Sequence, residues 1–162
     1  MVASYREIEV IDIRDLKKLE HKNIKFRKEN FINSNLKEQT DSVSCLHAIE
    51  HFGLGRYGDP IDCDGHIKGV NNLVKILQVG GILYISLPIG GRDQVFFNAH
   101  RIFHPKSILE IKSIATNMKL IRFDWVDDSG YLHKKTSIKN VPNNVTYGCG
   151  IYTFKKKQNI KF

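Results

Sequence analysis

The sequence predicts a single α/β domain over residues 1–162, with a mostly parallel sheet, helices on its faces and an antiparallel final strand. Three stretches carry that reading. Ser42 to Ile49 is a mostly apolar run that breaks into Glu50-His51, as a buried strand does when it leaves a sheet. Ile67, Val70, Val74 and Leu77 then recur at helical spacing with Leu73 on the same face, while Asp64 is placed to cap the start and Gly80 the end. Ile82 to Leu87 follows as a second buried run, closed by Pro88. Strand, helix and strand in that order make a βαβ unit with parallel strands and a right-handed crossover. Ligands of such sheets sit beyond the carboxyl ends of the strands, so Glu50, His51 and the loop to Asp64 mark the expected site.

The remaining elements follow in order. Ile8 to Asp12 alternates and ends in an acid, which suits a strand delivering a carboxylate to the sheet edge. Asn23 to Phe26 reads as another strand. Phe96 to Phe103 carries His100 and Arg101 between aromatics, and Pro105 opens a helix whose Ile108, Ile111, Ala115 and Met118 share a face. Leu120 to Trp125 is a strand, Asp127 to Gly130 a turn, and Val145 to Phe154 the last strand, after the turn signal Pro142-Asn143-Asn144. Lys155 to Phe162 reads as a frayed tail.

Composition narrows the class. A chain of 162 residues with 41% hydrophobic content supports one compact core and is too short for two ordinary domains. The net charge of +8 favours anionic partners, but the basic residues are spread along the chain and no helix-turn-helix, zinc-finger or RNA-reading motif accompanies them. Nucleic acid is therefore not the expected partner. The three cysteines, Cys45, Cys63 and Cys149, form no CxxC pair, so neither a disulfide framework nor a zinc site is suggested. No amino-terminal leader is visible, and the longest apolar run is far below the ~20 residues that span a bilayer. The expected location is cytoplasmic, with no membrane span.

The loop after Glu50-His51 holds His47, His51, Asp59, Asp62, Asp64 and His66, yet no metal site is expected there. HAIEH is not HExxH, and counting twelve residues from Asp62 places Leu73 where a calcium loop needs glutamate. GLGRYGDP is too glycine-rich for a helix and lacks both the P-loop lysine and the GxGxxG register, so it reads as a rigid loop over the pocket.

AIEHF at a strand end and LQVGGILYISLP after a helix resemble the later motifs of class I S-adenosylmethionine-dependent methyltransferases. The run HAIEHFGLGRYGDPIDCDGH, with FNAHRIF further on, resembles a methyltransferase-like group associated with glycan modification. The resemblance implies a Rossmann-like methyltransferase fold and S-adenosylmethionine as cofactor. It implies that Asp12 bonds the ribose hydroxyls, that Glu29 or Asn30 meets the adenine, and that Glu50 bonds the cofactor or orients His51. His51 is the general base it implies, with Asp59 as second choice; Arg56, His100 and Arg101 are placed for the substrate, a small molecule or glycan precursor.

One departure from the family pattern stands out. The first glycine of the chain is Gly53, so the family's first strand and glycine-rich turn, which bring backbone amides to the cofactor, have no counterpart before Asp12. The expectation is a fold that begins at the family's second strand, with a gap in the sheet that a missing N-terminal segment or a partner chain would fill. A chain so built binds S-adenosylmethionine weakly or not at all and is inactive by itself. The alternative expectation is a catalytically inactive remnant serving as a binding or structural module.

Overall fold

The computed structural model describes residues 2–15, 21–96 and 99–158. In chain order it contains β1 (Ile8–Asp12), β2 (Ile24–Lys28), β3 (Thr40–Leu46), α1 (Gly65–Ile76), β4 (Leu77–Ile89), the short β5 (Gln94–Val95) and β6 (Arg101–Ile102), α2 (Ser107–Glu110), α3 (Lys112–Asn117), β7 (Met118–Val126), β8 (Leu132–His133) and β9 (Gly148–Lys156). Five strands form the main sheet in the order β3-β4-β9-β7-β8. The βαβ unit is present, since β3 and β4 pair in parallel across α1. The sheet as a whole is mixed, with β3, β4 and β7 running in one direction and the final strand antiparallel, as expected. β9 enters between β4 and β7 against the direction of both, and β8 pairs antiparallel with β7.

The crossover helix starts at Gly65 and stops at Ile76, with Leu77 already extended. Asp64 occupies the cap position without a side-chain cap bond. The last helical carbonyls find other donors. Lys156 Nζ reaches the carbonyls of Val74 at 3.0 Å and Leu77 at 2.6 Å, and the amides of Glu38 and Gln39 reach those of Lys75 and Ile76. Gly80 is therefore not the cap. With φ +80°, it lies where the β3–β4 register jumps from Thr40↔Leu77 to Ser42↔Ile82.

The helix expected after Pro105 is interrupted at Ile111, whose extended backbone separates α2 from α3. Ile108 and Ile114 reach the core, while Ala115 is exposed and Met118 already belongs to β7.

All three helices stand on one face of the sheet. Val70, Leu73 and Val74 of α1, with Ile108 and Ile114, close over Leu83, Ile85, Leu87, Phe123, Trp125, Tyr152 and Phe154. Each such fully buried side chain contributes about 1.5–3 kcal/mol through removal from water. The opposite face carries Ser44, Leu46, Ile82, Tyr84, Ile151 and Thr153 by register, with no helix on it among the described residues. Leu46 there is 59% exposed and Tyr84 42%. The expectation of helices on both faces is corrected accordingly.

β1 and β2 pair in parallel as a separate two-stranded sheet. No backbone hydrogen bond joins β1 to β3 among the described residues. Their ends are nevertheless tied. Arg6, ahead of β1, meets Asp41 at the start of β3 at 2.7 Å, and Arg14, after β1, lies over the Tyr57 ring at 4.7 Å, beyond the end of β3. Among the described residues both strands thus keep one edge without a ladder partner.

Candidate functional site

The chain leaves β3 through His47, which takes a left-handed conformation with φ +49°. A 3-10 turn over Ile49–His51 follows, with Ile49 and Glu50 buried. Two glycines allow this turn to pack so closely. A Cβ on Gly69 of α1 would lie 2.5 Å from the Phe52 ring and 2.7 Å from Ile49, and one on Gly53, at φ +76°, would lie 2.1 Å from the Asp62 carbonyl oxygen.

Glu50 is the chemical centre of the turn. Its side chain is 2% exposed, Oε1 lies 3.3 Å from His47 Nδ1 and 3.8 Å from His51 Nε2, and Oε2 is buried without a partner. A buried carboxylate with one unfilled oxygen is a costly arrangement and marks a place where a donor fits. His51 is oriented from its other side. Its Nδ1 donates to the Ala99 carbonyl at 2.8 Å, so the proton sits on Nδ1 and Nε2 is turned toward Glu50.

Arg56 donates to the same Ala99 carbonyl at 2.8 Å and lies against the Tyr57 ring. The His51 ring meets Tyr57 edge-on at 5.4 Å and His100 at 6.3 Å. His100 in turn stacks on Phe96 and packs against Tyr147. Burial, followed by the charge of His51, holds His100 below its ordinary value. Glu50, His51, Arg56 and His100 therefore gather at the carboxyl end of β3.

Asp59 and Arg101 are close by but engaged in building the loop. Asp59 is buried and accepts from the amides of Gly53 at 2.6 Å and Tyr57 at 3.3 Å. Arg101 is 5% exposed and donates to the carbonyls of Phe52 at 2.6 Å, Glu50 at 3.4 Å and Cys63 at 3.4 Å. Its guanidinium is spent on backbone. Phe97, the first residue of the FNAHRIF run, lies outside the described residues.

Asp12 lies at the carboxyl end of β1, where Arg14 takes both of its oxygens at 2.7–3.0 Å. Those hydrogen bonds hold its carboxyl below the usual range. Glu29 follows β2 beside Arg27 at 3.8 Å, and Asn30 caps the next turn by accepting from the Ile32 amide. Neither is brought to Glu50. Asp62, Cys63 and Asp64 offer ligand atoms within 4.8 Å of one another, but the Asp62 carboxylate is paired with Lys68 at 2.6 Å. Two open concavities of about 520 and 430 Å³ lie elsewhere, against Trp125 and Asp127, and against Arg92 and Phe96. The second reaches the His100 neighbourhood through Phe96.

Sequence reasoning missed two contacts. Tyr57 and Tyr147 close around His51 and His100, and His47 Nε2 lies 3.2 Å from Cys149 Sγ. The second joins residues 102 positions apart through the β4–β9 pairing, so no local spacing announces it.

Residues 7–146 match a family described as Caenorhabditis protein of unknown function, DUF268. The chain belongs to DUF268. No curated protein matches this DUF268 chain in sequence. Among solved structures it is similar to the 1,6-didemethyltoxoflavin-N1-methyltransferase of Burkholderia thailandensis with bound 1,6-didemethyltoxoflavin and S-adenosylhomocysteine, at TM-score 0.61 and 12% identity over 93% of this chain and 61% of that one. It is similar to the cyclase SpnF at TM-score 0.61 and 12% identity, over 96% and 70%. A putative methyltransferase of Haloferax volcanii, in complex with the Trm112 methyltransferase activator, matches at TM-score 0.56 and 10% identity, over 89% and 66%. The DUF268 chain thus spans about two thirds of the length of each, and what it shares with them is the fold of class I S-adenosylmethionine-dependent methyltransferases. No helix among the described residues is long and apolar enough to cross a membrane.

Proposed function

We propose that this DUF268 domain is part of an S-adenosylmethionine-dependent methyltransferase acting on a small molecule or glycan precursor. The observation that carries the reading is the unfilled Oε2 of buried Glu50 at the carboxyl end of β3, beside the oriented His51. Asp12 ends β1, whose two ends are tied to this region through Arg6–Asp41 and Arg14–Tyr57. Acids at strand ends are the groups that bond ribose and amine donors in such folds. Glu50 and Asp12 would hold the cofactor, Asp12 by giving up Arg14, and Glu29 or Asn30 would flank the adenine.

When bound, S-adenosylmethionine supplies an electrophilic methyl group on a sulfonium. The chain's part is to align an acceptor and move its proton, for which His51 is the proposed base and Glu50 its partner. Asp59 is a weaker second base, because both of its oxygens already accept amides. Arg56 and His100 face the acceptor, and Arg101 supports them by holding the loop.

Backbone donors for the methionine part of the cofactor are proposed to come from a strand and turn added between β1 and β3, from a further segment or a partner chain. Each missing hydrogen bond to a charged group forfeits roughly 1.5–3 kcal/mol. Two or three such losses weaken binding by several orders of magnitude, since ~1.4 kcal/mol is a factor of ten. The alternative is a binding or structural module without catalysis; the separation of β1 from β3 favours it for this chain alone.

Nuclear magnetic resonance titration with S-adenosylhomocysteine tests the assignment. Amide signals of Asp12 and of His47 to Phe52 should move at millimolar ligand. Shifts confined to other parts of the sheet would overturn it.

A further inference from the structure

The contact between His47 and Cys149 has a use that the methyltransferase reading does not require. Cys149 sits on β9, half-buried, on the sheet face that carries no helix among the described residues. His47 Nε2 lies 3.2 Å from its Sγ, and the other ring nitrogen, Nδ1, lies 3.3 Å from the buried Oε1 of Glu50. A carboxylate can only accept, so Nδ1 carries the proton and Nε2 presents its lone pair to the thiol. The order is thiol, imidazole, carboxylate, with each neighbour in reach of the next.

Three further features favour a working relay over an incidental contact. The His47 backbone is held at φ +49°, a conformation a non-glycine residue rarely adopts, and it aims the ring between Glu50 and β9. Glu50 is 2% exposed with Oε2 unpartnered, so its charge is not dissipated in water. His47 is 51% exposed, which leaves an open approach to the relay.

We propose that Cys149 is a nucleophilic cysteine, with His47 as its base and Glu50 as the residue that positions His47, and that it attacks carbon electrophiles bearing a leaving group to form a thioether. In the step, the thiol proton passes to His47 Nε2 as the sulfur lone pair forms the new C–S bond. The bond from carbon to the leaving group breaks and the leaving group departs with its electron pair. The imidazolium is stabilised by Glu50 and returns its proton to water. Burial and then the Glu50 charge raise the Cys149 thiol above its ordinary value, so it rests as a thiol and needs a base at the moment of attack.

Iodoacetamide is the probe, with iodide as leaving group and mass spectrometry reading each cysteine separately. Cys63 is exposed and serves as the internal rate standard, whereas buried Cys45 reports any unfolding. His47→Ala should slow labelling of Cys149 about a hundredfold relative to Cys63, the range of a lost general base, and added imidazole should restore it. His47→Gln replaces it if the alanine variant exposes Cys45. In Glu50→Ala, which removes the acceptor, the ¹⁵N shifts of the His47 ring should move away from the Nδ1–H tautomer while buried Cys45 stays unlabelled, which separates the lost carboxylate from loosening of the fold. Equal Cys149 rates with and without His47, or a loss that imidazole does not restore, would overturn the proposal.

Discussion

The two sides of the β3–β4 pair are built to different standards. From β4 toward β8, every strand is paired with its neighbour, with one register shift at Leu120/Arg122, and one face is closed by α1, α2 and α3 over Leu83, Ile85, Tyr152 and Phe154, all essentially without exposure. From β3 toward β1 there is no ladder among the described residues, and the residues along β3 include exposed Ser44 and Leu46. The proposed site lies on the boundary. Glu50 draws its rigidity from the closed side through Gly69 and Arg101, and its unfilled oxygen marks the open one. Stability and the candidate chemistry are thus supplied by different parts of the chain.

The contrast can be broken by mutation. Leu83→Ala, on the closed side, is expected to cost about 2–5 kcal/mol in denaturant unfolding, the range for a buried leucine that leaves a cavity. An effect under 1 kcal/mol would mean that the helix-covered core is looser than its packing implies. Arg101→Met should cost about 1–3 kcal/mol, because it leaves the partly buried Phe52 carbonyl without its short 2.6 Å donor. On the open side, Leu46→Ala should change stability by no more than about 0.5 kcal/mol. A larger loss would show that something covers this face.

Acid sensitivity sharpens the same contrast. His66 is turned from α1 toward Phe103, and burial, followed by the charge of Arg101, holds its imidazole below the ordinary value. The unfolded chain therefore binds a proton more readily than the folded one. Stability from this group is fully present above about 6.5, the unfolded value, and is lost as pH falls through the lower folded value. His100 carries the same sign. Melting temperature measured from pH 8 to pH 5 should fall toward acid, and His66→Gln should flatten that slope; an unchanged slope would exclude His66 as its source.

Much of this was legible in the sequence where local pattern and tertiary need agree. Ile8 to Asp12 alternates and is β1, and the apolar runs around Cys45 and Ile85 are β3 and β4 in parallel pairing. The Ile67–Leu77 helix was legible in type but not in its ends, because Lys156, far along the chain, does the capping assigned to Gly80. The break at Ile111 and the placement of β9 between β4 and β7 depend on packing that no short window contains. At the site, Glu50 and His51 could be read from their place at a strand end. The engagement of Asp59 and Arg101 with backbone could not, since hydrogen bonds to carbonyls and amides leave no trace in residue type.

Calorimetric titration of the 162-residue chain with S-adenosylmethionine tests most directly whether the open side is an incomplete cofactor site. No binding tighter than millimolar is the expected result, with affinity appearing only in a protein where a strand and glycine turn fill the space between β1 and β3. Micromolar binding at one site by this chain alone would contradict it.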